Sequence, residues 1–252
     1  MKTLKTLKTL WTWALAGFVL LSFIGFYTHK PTNLAFLTPL ETSQFLKADA
    51  DGYVSMLSII DLRARGHTTG SDYIKDISEN VHQFTEIEKR RLAIAARAAD
   101  SKLPRTDNWR LAEIPWIFAA TSGHGYEGGH PHTRGNIIFL TPSIIRSANI
   151  IETLIHEKVH IFQRFSKQAT YAFLETKGYM PFASRTEFIR LNPRLRANPD
   201  LDDKIWIDTK SRKLFLAEYT TEHPTSINDI IQVNPAFEHP YEAMAYEIAR
   251  GL

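Results

Sequence analysis

His156-Glu157-Lys158-Val159-His160 is the stretch that most restricts what this chain can fold into. Histidines four positions apart lie on one face of a helix. Both imidazoles then reach a single metal ion, with a glutamate one residue after the first. Zinc favours such nitrogen ligands and, in catalytic sites, keeps one position open for water. The glutamate stands where a general base takes the proton from that water. The spacing is useful only on a helix fixed against a core, so the flanking residues decide whether it carries meaning.

The flanks favour such a helix. Ile151, Leu154, Ile155, Val159, Phe162 and Phe165 recur at helical spacing, and residues 150–167 contain neither Gly nor Pro. Asn149 stands at the cap position, with Glu152 three residues on, as in a capping box. A helix with an apolar back and a ligand-bearing side is expected there.

The first 30 residues differ in kind. Lys2, Lys5 and Lys8 precede an uncharged run from Thr9 to Thr28. That length is near the minimum for a membrane-spanning helix. Trp11, Trp13 and Tyr27 stand near its ends, where aromatic residues favour the interface, and the leading lysines favour a cytoplasmic amino terminus. No small-x-small cleavage site stands near Phe23–Lys30, so a signal anchor fits better than a cleaved signal peptide. The expected location is the extracytoplasmic face of a membrane, or secretion if the segment is cut.

Lys and Arg number 30; without Lys2, Lys5 and Lys8, 27 remain against 27 Asp and Glu. A balanced body gives no electrostatic footprint for nucleic acid. There is no cysteine, which excludes disulfides, thiolate ligands and a lipoprotein anchor. Residues 31–252 read as one α+β catalytic domain: a helical part over 41–103, a core over 108–180, and a hairpin insertion with a last helix over 190–252. Within it, helices are expected over Glu41–Arg65 (interrupted at Gly52), Thr85–Lys102 and Pro240–Arg250. The latter part of Asn108–Ala120 and Asn136–Leu140 read as strands around a loop rich in glycine and histidine. Lys204–Asp208 and Lys213–Tyr219 read as a hairpin.

A catalytic zinc needs a third protein ligand. The metzincin arrangement, a histidine six residues after His160, is absent, since that position holds Ser166. Two segments, His156–His160 and Glu238-His239-Pro240-Tyr241-Glu242-Ala243-Met244-Ala245-Tyr246-Glu247, together resemble the gluzincin metallopeptidases, the class that includes thermolysin. That resemblance implies a zincin-like fold, His156, His160 and Glu242 as zinc ligands, Glu157 as general base, and a peptide or protein as substrate. It covers two short segments. The acidic residue that thermolysin-like enzymes place four positions after the ligand glutamate is Tyr246 here, with Glu247 one residue late, so the support of the zinc-bound histidines must be built differently. Glu238, Glu247, Glu175 and the loop histidines His124, His130 and His132 remain alternative ligands.

For stabilising an oxyanion, Tyr241, Tyr246, His239, His223, His132 and Arg134 have suitable chemistry. The resemblance also implies that Asn136–Leu140 is the sheet edge along which substrate lies. The reading is a zinc metallopeptidase. The alternatives are an inactive membrane-tethered zincin-like binding module and a zinc hydrolase of a non-peptide amide.

Overall fold

Trp116–Ala120 and Ile137–Leu140 are short, unbroken apolar runs, the pattern of strands covered on both faces. The computed structural model of the protein bears this out. It describes residues 33–103, 110–123, 125–198, 201–232, 234 and 236–251. The anchor or signal segment expected over residues 1–30, and His124, lie outside the described residues. Among those described, no helix is long and apolar enough to cross a membrane.

Strands β1 (Leu34–Phe36), β2 (Trp116–Ala120), β3 (His132–Arg134) and β4 (Ile137–Leu140) form a four-stranded sheet in the order β1-β2-β4-β3. β1, β2 and β4 run parallel, and β3 runs antiparallel to β4. Asn136–Leu140 is therefore not the edge expected from the sequence. It is enclosed between two strands because a turn at Gly135 (φ 56°) folds His132–Arg134 back alongside it. The edge is β3, and the Arg164 guanidinium already donates to the carbonyls of Thr133 and Gly135 there.

Helices cover both faces. Toward one face come α1 (Pro39–Ala48), the short α2 (Ile59–Ala64) and α3 (Gly70–Glu79), whose Leu46, Leu62, Tyr73 and Ile77 join Ala119, Ile137 and Phe139. Toward the other come α4 (Glu86–Lys102), α5 (Pro142–Arg146) and α6 (Ile150–Phe165), joining Trp116, Phe118, Ala120, Ile138 and Leu140. Side chains alternate across a strand, so adjacent residues of β2 and β4 serve opposite layers. The helix expected over Glu41–Arg65 is in fact split: Asp49 turns left-handed at the end of α1, and the chain re-enters a helix at Ser58, whose hydroxyl and Asp61 form a reciprocal cap.

Beyond α6 come α7 (Lys167–Lys177), β5 (Tyr179–Ser184) and the single turn α8 (Arg185–Phe188). The expected hairpin gains β5 as a third strand and loses its far end. β6 (Lys204–Asp208) pairs with both β5 and β7 (Lys213–Phe215). The next residues, β8 (Ala217–Tyr219), leave that sheet to pair with β9 (Ile230–Gln232). The last helix, α9 (Pro240–Arg250), returns to the core beside α6.

Candidate metal centre

Two antiparallel helices build the site. α6 buries Leu154, Ile155, Val159 and Phe162 in the same core as Met244, Ala245 and Ile248 of α9. Glu152 near the start of α6 accepts from Arg250 at the end of α9, at 3.0 Å. Gln163 near the end of α6 donates to the Tyr241 carbonyl at the start of α9, at 2.9 Å. The expected Asn149 cap is not made: its side chain donates to and accepts from no helix amide, and Glu152 serves the Arg250 pair instead.

α9 starts where its sequence requires. The Nδ1 of His239 accepts from the Tyr241 amide at 3.2 Å, and Pro240 takes the first position, where a missing N–H costs nothing. Glu242 falls in that first turn, facing α6. Of the small residues of this helix, Ala245 is fully buried, whereas Ala243 is only partly so.

The Nε2 atoms of His156 and His160 lie 2.9 Å apart. Glu242 bridges them: Oε2 is 3.1 Å from His156 Nε2 and Oε1 is 3.2 Å from His160 Nε2. A tetrahedral zinc with bonds of about 2.0–2.1 Å needs donor atoms roughly 3.3–3.4 Å apart. The two nitrogens lie closer together than that, at 2.9 Å, and each faces a different oxygen of Glu242; two nitrogens and one carboxylate are a donor set zinc accepts. Burial alone would push the Glu242 carboxyl up, but the two imidazoles against it outweigh burial and hold it well below the usual carboxylate range. Among the described residues, this is the group of metal-ligating side chains that converges.

The alternative ligands are elsewhere. Glu238 pairs with Arg196 at 3.0 Å, Glu247 with Lys177 at 2.6 Å, and Glu175 is exposed on α7. His130 is exposed. His132 is buried, stacked on Phe139 with ring centroids 5.2 Å apart and meeting Tyr126 edge-on at 4.4 Å.

Of the six candidates for oxyanion stabilisation, one reaches the cluster. Tyr246 meets the His156 ring with centroids 4.5 Å apart, and the Arg250 guanidinium lies over the Tyr246 ring at 4.5 Å from its centroid. Burial first, and then the Glu242 carboxylate, raise the pKa of its phenol, so its O–H remains a donor. Arg134 is buried and held by Asp49 and Asp51. His239 is committed to Asp202 at 2.9 Å, and His223 is exposed. Tyr241 is buried with its phenol coupled to Asp202 and Tyr171.

Glu157 is 2% exposed, one residue after His156. A cavity of about 290 Å³ borders Gln163 and Tyr241 and is lined also by Thr133, Arg164, Lys167 and Asp202.

The glycine-rich loop is anchored and does not simply hang in solvent. Its Glu127 is buried, accepts from Arg65 Nη2 at 2.6 Å and from the Tyr73 hydroxyl at 2.6 Å, and holds a left-handed φ of 45°. Nothing in the spacing of the loop signals this, because Arg65 and Tyr73 belong to distant elements.

Comparison of the chain with protein-family models, with curated proteins and with solved structures gave no significant match.

Proposed function

We propose that the chain is a zinc-dependent metallopeptidase of the zincin-like kind. The observation that supports this most is the meeting of His156, His160 and Glu242 at 2.9–3.2 Å, from segments some eighty residues apart, with a buried glutamate beside the first histidine. An ion pair made only for stability has no need of two imidazole nitrogens in contact.

A zinc ion held by these residues would supply Lewis acidity, polarising a carbonyl and acidifying water. The chain's own groups do the rest. His156, His160 and Glu242 would hold the ion through two nitrogens and a carboxylate. Glu157 accepts the proton of the attacking water and delivers it to the departing amine. The Tyr246 phenol donates a hydrogen bond toward the carbonyl oxygen as charge develops on it. The proposed setting is the extracytoplasmic side of a membrane, or the outside if the first segment is cut.

The test is cleavage of a mixed peptide library by the purified full-length chain. Cleavage that stops on chelation and returns with zinc supports the peptidase. Zinc binding with no cleaved peptide would replace it with a hydrolase of other amides or with an inactive binding module.

A further inference from the structure

Metal-ligating histidines need their second ring nitrogen held, because that hydrogen bond sets both tautomer and ring orientation. The two histidines of this site are treated unequally. His156 Nδ1 is buried with no hydrogen-bond partner among the described residues, and its ring is held by contact with Tyr246. His160 Nδ1 lies 2.8 Å from Gln163 Oε1.

Gln163 is three residues after His160, on the same helix face, and is 1% exposed. Its amide orientation follows from its other contact. Nε2 donates to the Tyr241 carbonyl at 2.9 Å, and a carbonyl only accepts. The amide oxygen therefore faces His160. That oxygen also only accepts, so Nδ1 of His160 must carry the proton. Nε2 of His160 faces the point where His156 and Glu242 converge, 3.2 Å from Glu242 Oε1, and is the nitrogen left for a metal. The residue whose carbonyl Gln163 holds immediately precedes Glu242. One side chain thus sets a ligand tautomer on α6 and fixes the start of the ligand helix α9.

We propose that Gln163 is a positioning residue of the metal centre: it fixes His160 as the Nδ1–H tautomer and holds Glu242 at its ligating distance from the two histidines. This rests on the zinc reading above and supplies the histidine support that Tyr246 and Glu247 do not.

The experiment is zinc affinity by competition with a chromogenic chelator, on full-length wild type, Gln163→Leu and Gln163→Glu. Loss of such a support costs roughly 10–100-fold in metal affinity, which is the expectation for Gln163→Leu. Gln163→Glu keeps the acceptor for Nδ1–H and should bind at least about tenfold more tightly than Gln163→Leu. A purely structural role would lower the melting point of the metal-free variants and leave zinc affinity alone. Ring-nitrogen NMR of His160 in the metal-free wild type needs no variant to fold: a proton on Nδ1 is expected, and an unprotonated Nδ1 overturns the inference. Zinc-binding wild type with Gln163→Leu within about threefold of it overturns the inference and leaves the peptidase reading intact. Wild type that binds no zinc overturns both.

Discussion

Lys158, the middle residue of the ligand pentapeptide, is fully buried and donates from Nζ to Asp100 Oδ1 at 2.8 Å. Its ammonium lies 3.9 Å from the centroid of the Trp116 ring, and Trp116 Nε1 donates to the same Asp100 oxygen at 3.0 Å. The pentapeptide therefore works in two directions. His156 and His160 look toward α9, while Lys158 fastens the back of α6 to α4 and β2. Burial draws the lysine pKa down and Asp100 opposes it.

Replacing Lys158 by Met should destabilise the fold by about 1–3 kcal/mol, because Asp100 loses its charged partner against an aromatic wall. Zinc content per chain should not change. Adding Asp100→Asn should recover part of the loss, a coupling that a double-mutant cycle by denaturant unfolding measures. Additive losses would mean that the pair contributes nothing as a pair.

Glu157→Gln keeps shape and removes the base. Bound zinc should remain near wild type, while turnover falls by about 10²–10⁴-fold, the usual contribution of a general base. Kinetics on a cleaved library peptide, with metal analysis of the same sample, decides it. Wild-type turnover in a zinc-loaded variant would remove Glu157 from the mechanism.

Tyr246→Phe removes the phenolic hydroxyl of the ring that packs on His156. A donor that acts on developing charge costs about 10²–10³-fold in kcat when lost. KM should move little, since that bond strengthens only in the transition state. A raised KM at constant kcat would make Tyr246 a substrate-binding group instead.

Acid should loosen the glycine-rich loop in a defined window. Burial alone would raise the Glu127 carboxyl, but Arg65 against it prevails and brings it from 4.5 to about 2. A folded pKa below the unfolded one stabilises the protein above the unfolded value, and that contribution disappears as pH falls through the folded value. Melting temperature should thus fall between pH 4.5 and about 2 more steeply in wild type than in Glu127→Gln. Parallel profiles would show that Glu127 is not linked to folding.

What could be read from the sequence was what depends on neighbours. α6 and α9 announce themselves by apolar period, and α9 also by its proline start. α4 does so through Thr85 and Glu88, which form the reciprocal cap their spacing suggests. α3 was not foreseen, although Tyr73, Ile74 and Ile77 recur at helical spacing and Thr69 caps its start. β3 is a strand only because Ile137–Leu140 lies beside it, and nothing within His132–Arg134 has a strand pattern. Glu242, the proposed third ligand, was reachable by resemblance to a known arrangement. Gln163 was not, since its partner carbonyl lies 78 residues away and its role exists only once α6 and α9 are side by side.

The most direct measurement is zinc per chain in the full-length protein, wild type beside Glu242→Ala, by elemental analysis after exhaustive dialysis. About one zinc per wild-type chain is expected, as a site of three protein ligands holds, with loss or marked weakening in the variant. A folded wild-type chain without zinc, or a variant that binds it as tightly as wild type, would contradict the three-ligand centre.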